Sequence, residues 1–350
     1  MTTSIHLYLS GDSHASSGSS TDLSNLSFGS LNHTNPECLR RDELISLFKE
    51  ATSEYVGFVD RSQLADQNQL TQLNDLELSG DQTEIYLASF SDSKSFSQSY
   101  ECLPPVAAFL AMNPLQHALV LIPRSAFLNL QALPDSEELL WHALILLTQA
   151  GTKSRSIDFP PLTQAGNAPQ RLPELAPNHP GSDRDWLLHL LRAYQPDQDL
   201  PSISSQPDAV ALKAGLFCVH DYLDESHQFS QSVENQGLHH AGDHWHHIMH
   251  RREPDYSNAK YWSRVVGYHP IHDILPEAVA PIFDQLDGDT VAIWKNRLLQ
   301  NKRWSLNAFV DCCAECESSQ DSDLNELARK IQWIEMQLLL QKSSLDAVTG

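Results

Sequence analysis

Apolar residues recur at helical spacing through most of the second half of the chain, and in short strand-like runs only in the first half. Leu212, Leu216, Phe217, Leu223 and Phe229 predict one helix running from a cap at Asp208 to about Glu234. A second helix is predicted over 243–253, where Pro254 stops it, and a third from a cap at Asp255 or Ser257 to Gly267. Further helices fit 277–286, 289–300, 306–317 and 323–341.

The first half reads differently. A helix over 39–54 precedes strands at 55–59, 84–90 and 117–122, and a helix over 136–150 carries an apolar stripe at Leu139, Leu140, Ala143, Leu144 and Leu147. Ten serines and few large apolar groups in residues 1–36 predict disorder, because such a segment cannot offset its ordering entropy by burial. Nine of the 19 prolines fall in 151–207, which reads as a connector holding one helix at 183–194. The expected fold is therefore mostly α. A helical bundle at 208–345 is preceded by a small α/β region at 37–150 and a disordered tail.

The formal net charge of -22 argues against general binding to nucleic acid or anionic membrane, which demand a positive surface. It leaves room for a small anionic molecule in a locally basic pocket. No apolar run is long enough to span a bilayer, and residues 1–11 lack the features of a secretory signal. The six cysteines form no disulfide framework, so a cytoplasmic location is expected. Cys313 and Cys316 stand as a single C-x-x-C beside Cys312, with no second pair to complete a zinc site, and read as structural thiols. Glycine-rich phosphate loops and serine-hydrolase motifs are lacking.

Ten of the 17 histidines lie between His220 and His272, so the chemistry is sought there. His246, His250 and Glu253 stand at i, i+4 and i+7 and would share a helix face. Two imidazoles and a carboxylate suit a divalent metal such as zinc, manganese or iron, with positions left open for water or substrate. His220, Asp224 and His227 repeat the spacing on the helix before, and His227 is the expected fourth group. His227, His246 and His250 are the candidates for acid–base catalysis. The same pattern also fits a solvated face, or core histidines bonded to carboxylates and carbonyls. Trp245, Met249 and Arg252 share a different face suited to packing.

The following stretch is locally basic. Arg251, Lys260 and Arg264 are expected to hold the anionic group near a helix start, and Tyr256, Asn258, Tyr261 and Trp262 to shape the pocket. The alternative is an internal ion-pair network with Glu253 and Asp255.

Trp245-His246, the run from Met249 to Trp262 (MHRREPDYSNAKYW), Arg264, Gly267 and His269-Pro270 together resemble a family of uncharacterised proteins. Ser226-His227 and Gln231 match its upstream Ser-His and Gln. The resemblance spans Asp221 to Ile271 and implies which residues matter without naming a reaction. Asp243, His239, His240, His244 and His247 fall outside its pattern. The expected function is binding or conversion of a small anionic metabolite at a His-rich site. The alternative is a non-catalytic interaction protein in which these residues form a structural polar core.

Overall fold

A computed structural model of the chain describes residues 4–10, 26–30, 39–60, 67–76, 78, 83–89, 102–116, 118–136, 138–157, 172–177, 184–285, 288–299, 303–319 and 321–350. The fold is mostly helical, with a small sheet near the N-terminus and a helical C-terminal region. The chain divides into two compact units, Met1–Gln170 and Arg171–Gly350.

In the first unit, strands β1 (Ile5–Ser10), β2 (Leu26–Ser30), β3 (Tyr55–Asp60), β4 (Glu84–Ser89), β5 (Ala118–Pro123) and β6 (Lys153–Ser156) form one sheet in the order β2-β1-β3-β5-β4-β6. It is mixed: β5 runs antiparallel to both β3 and β4, while β1 is parallel to β2 and β3, and β4 to β6. Every residue of β5 is buried, which explains its unbroken apolar run. Gly57 lies where a Cβ would come within 2.8 Å of Leu7 and 2.9 Å of Leu121, so the two leucines close over the strand only because this position has no side chain. Helices α1 (Arg41–Glu50), α2 (Gln67–Asn74), α3 (Pro105–Ala111), α4 (Arg124–Leu128) and α5 (Leu139–Gln149) complete the unit. Trp141 donates to the Phe109 carbonyl at 2.7 Å, joining α5 to α3.

Two corrections concern strands β1, β2 and β6. β1 and β2 come from the serine-rich stretch read as a disordered tail. Ile5 and Leu7 are fully buried in the sheet core, where pairing with β3 satisfies their backbone. β6 comes from the proline-rich connector and alternates between exposed and half-buried positions at the sheet edge. The remaining residues of 1–36, and 158–171 and 178–183 of the connector, lie outside the described residues apart from Ser4.

The second unit holds α6 (Asp185–Ala193), α7 (Pro196–Asp199), α8 (Gln206–Cys218), α9 (Leu223–Ser232), α10 (Ala241–Arg252), α11 (Tyr256–Val266), α12 (Ile271–Gln285), α13 (Asp289–Leu298), α14 (Leu306–Ser318) and α15 (Ser322–Thr349). The single helix expected over 208–234 is broken in two. Ser205, not Asp208, is the cap, and α8 stops at Cys218, with Asp221 in the left-handed region at φ 68°. The break has a physical cause in Arg252. Its guanidinium donates to the Cys218 carbonyl and to the Asp221 carboxylate, satisfying an open end of α8 that continued helix would otherwise satisfy.

All twelve residues of α10 are buried, among them four histidines, two arginines and an aspartate. The helix packs against α8, α9, α11 and α15. It packs tightly on α8, where a Cβ on Gly215 would collide with the Trp245 indole and with Leu340 of α15. Trp245 also donates to the Ser343 hydroxyl at 3.2 Å. The next helix is set by local chemistry: Asp255 accepts from the Asn258 N–H at 3.1 Å, and Gly267, at φ 59°, ends α11.

Candidate metal centre and a buried polar cluster

His246 and His250 project from one face of α10 toward α9, which carries His227. One ring nitrogen from each of the three lies within 4.8 Å of the others. Ring centroids are 4.7 Å apart for His227–His246 and for His246–His250, and 5.4 Å for His227–His250. His246 is buried with neither ring nitrogen hydrogen-bonded, and His227 is half-buried, on the open side of the group. The Trp262 indole stacks on His246 at 3.9 Å between centroids and closes the inner wall. Burial, reinforced by His250 and His227, pushes the His246 pKa down to about 3, so its ring is neutral at physiological pH and offers a lone pair. Burial lowers His250 as well, with Glu253 opposing.

Glu253 does not join the cluster. It sits at the exposed C-terminal end of α10, where its carboxylate accepts from His250 Nδ1 at 3.2 Å. The expected His246–His250–Glu253 set is thus replaced by His227, His246 and His250. The i+7 position lies past the last turn of the helix, and the residue turns back on its neighbour. Because the upstream helix is broken at Asp221, His220 does not continue one face with Asp224 and His227, and Asp224, one turn before His227 on α9, is exposed.

The residues expected to bind an anion are scattered. Asn258 reaches His250, with its amide nitrogen 3.1 Å from Nε2. Trp262 lines the cluster through its stack on His246. Tyr256 is half-buried; its hydroxyl lies 3.5 Å from the Cys313 carbonyl, and burial, with Glu317, raises its pKa. Lys260 is paired with Asp311. Tyr261 and Arg264 are exposed on α11. Arg251, expected at an open anion site, is fully buried: it pairs with Glu335 at 2.6 Å and lies over the Phe309 ring at 4.4 Å. On a helix buried on all sides, a guanidinium cannot reach solvent and needs an internal counter-charge.

That counter-charge was not identified from the sequence. Glu335 is fully buried on α15, in the stripe formed by Leu324, Leu327, Ile331 and Leu339. A glutamate at a helical spacing otherwise filled by leucine and isoleucine is the signal that could have marked it. Around it stand His244, His247, His269 and His272. His244 lies 5.1 Å from His269 and 5.2 Å from His272 between ring centroids, and its Nε2 is 3.5 Å from Glu335 Oε1. Burial lowers the pKa of all four, His247 to about 3. Cys312, Cys313 and Cys316 are buried thiols, and burial pushes Cys313 up to about 12.

Among the described residues no helix is long and apolar enough to cross a membrane. Comparison with protein-family models, curated proteins and solved structures finds no match to the chain.

Proposed function

We propose that the protein binds a divalent metal ion through His227, His246 and His250, and that the metal acts on a small anionic metabolite. The convergence of three ring nitrogens within 4.8 Å carries this reading. Zinc–imidazole bonds of about 2.0–2.1 Å would draw the rings slightly closer. The unpartnered nitrogens of His246 support it, since a buried polar atom without a partner is costly and metal ligation would remove that cost. Glu253, accepting from His250 Nδ1, would leave Nε2 as the metal-facing lone pair, in the usual carboxylate–histidine arrangement. A three-histidine site leaves a coordination position open, where zinc would lower the pKa of bound water to about 7 and supply a nucleophile or Lewis acid. The metal would itself provide positive charge toward an anionic ligand.

One observation favours the alternative of a structural polar core. The Asn258 amide already occupies His250 Nε2 at 3.1 Å, so a metal ligated there must displace it. Elemental analysis of untagged protein purified in metal-replete buffer separates the two. Stoichiometric zinc, manganese or iron, lost in His227→Ala and His246→Ala but kept in a His239→Ala/His240→Ala protein, is the expected result. Metal-free protein whose melting temperature ignores added metal would leave the structural reading.

A further inference from the structure

A different face of α10 carries a second buried polar cluster, gathered with residues of α12, α15 and the turn before α12. Among the described residues, His244 Nδ1 and Nε2, His247 Nε2, His269 Nε2, His272 Nε2, Arg251 Nε and Nη1, and Glu335 Oε1 are buried with no hydrogen-bond partner. Each such atom is costly if nothing meets it. So dense a group in one place therefore calls for a guest.

Backbone contacts decide which atoms donate. The His269 N–H donates to His272 Nδ1 at 3.2 Å, and the Ile271 N–H to His269 Nδ1 at 3.4 Å. A ring nitrogen that accepts carries no proton, so in neutral rings both protons sit on Nε2. Those two N–H groups, and the N–H groups on Nε and Nη1 of Arg251, are donors without acceptors. His247 is the reverse: its Nδ1 donates to the Ala259 carbonyl at 2.8 Å, which leaves Nε2 a lone pair. Glu335 Oε1 is the other fixed acceptor, and His244 offers one of each. Donors outnumber acceptors.

A metal ion is a poor guest here, because His269 and His272 present protons, not lone pairs. Water is also a poor match, since it donates as readily as it accepts and would leave the donor excess unmet. We propose that this cluster is a second ligand site, taking a small oxyanion held by the Nε2–H groups of His269 and His272 and by the Arg251 guanidinium. Phe309 holds the guanidinium plane, and Arg251 Nη2 stays bonded to Glu335. This site stands apart from the metal reading and does not depend on it.

The test uses the full chain with formate, bicarbonate and phosphate as probes, and sodium chloride at matched ionic strength as control. At least one oxyanion should raise the melting temperature saturably where chloride does not, and should shift the Nε2–H signals of His269 and His272 in histidine-labelled protein. Glu335→Gln removes a competing carboxylate at constant shape and should tighten binding by roughly tenfold, the scale of one charge-assisted hydrogen bond. His272→Leu should weaken it. His227→Ala, which would lose the metal, should keep the full response. Should Glu335→Gln fail to fold, the labelled wild-type protein still decides the matter. No saturable shift with any of the three probes, or Nε2–H signals that exchange magnetisation with water alone, would overturn the proposal.

Discussion

His250 is held between two side chains from opposite sides of the turn after α10: Glu253 accepts from its Nδ1 at 3.2 Å and the Asn258 amide nitrogen lies 3.1 Å from its Nε2. A neutral ring bonded this way carries its proton on Nδ1 and turns its Nε2 lone pair toward Asn258. Removing either neighbour should therefore act on the metal site in opposite directions. Glu253→Ala should weaken zinc binding by about 10–100-fold, as loss of a ligand's supporting carboxylate does elsewhere. Asn258→Ala should strengthen it by freeing the lone pair. Competition titration with a chromophoric chelator reads both, and equal affinities in all three proteins would remove the metal from His250.

Arg251 and Glu335 form an ion pair in which both side chains are fully buried. Arg251→Ala strands the carboxylate and should destabilise the protein by about 3–5 kcal/mol, whereas Arg251→Met combined with Glu335→Leu should recover much of that loss. Urea denaturation measures both. A single variant within about 1 kcal/mol of wild type would mean the pair is open to water.

Acid should unfold the helical unit early. His244, His247, His269 and His272 have folded pKa values below the ordinary 6.5, through burial, so above that value both states are neutral and stability is at its full level. Below it the unfolded chain takes up protons that the folded one refuses, down to about pH 3 for His247. Stability then falls with falling pH by about 1.4 kcal/mol per unit for each such ring. Melting temperatures from pH 8 down to pH 4 should drop steeply below about 6.5, and His247→Phe, if it folds, should flatten the slope. A flat profile would place these histidines in water.

Gly215 allows the Trp245 indole to lie against α8. Gly215→Ala would normally favour a helix, but here the added methyl meets the indole and Leu340, and the overpacking should cost about 1–3 kcal/mol. Thermal melts with Trp245 fluorescence as a second probe test this. A stabilised variant would show that α8 and α10 can separate at no cost.

Much of the fold was legible because it rests on local chemistry. Asp255 and Gly267 bound α11, and alternating or continuous apolar runs mark β3, β4 and β5 close to their observed limits. The i, i+4 spacing of His246 and His250 likewise puts both rings on one face through the helical repeat alone. β1 and β2 escaped notice because their stability comes from pairing with β3 and burial of Ile5 and Leu7, interactions between residues far apart in the chain.

By itself, then, the sequence determined the helix periodicity of the second unit, most helix ends, and the concentration of histidine around α10. Only the tertiary structure decided the partners. It broke the long helix at Asp221 by aiming Arg252 at the end of α8, and it brought His227 to His246 and His250 while turning Glu253 outward. It also carried Arg251 inside to Glu335, 84 residues away. Spacing within one helix fixes which side chains share a face, because the backbone geometry repeats every turn. It cannot tell whether that face meets solvent or another helix, and for a charged side chain that difference separates a binding residue from half of a buried ion pair.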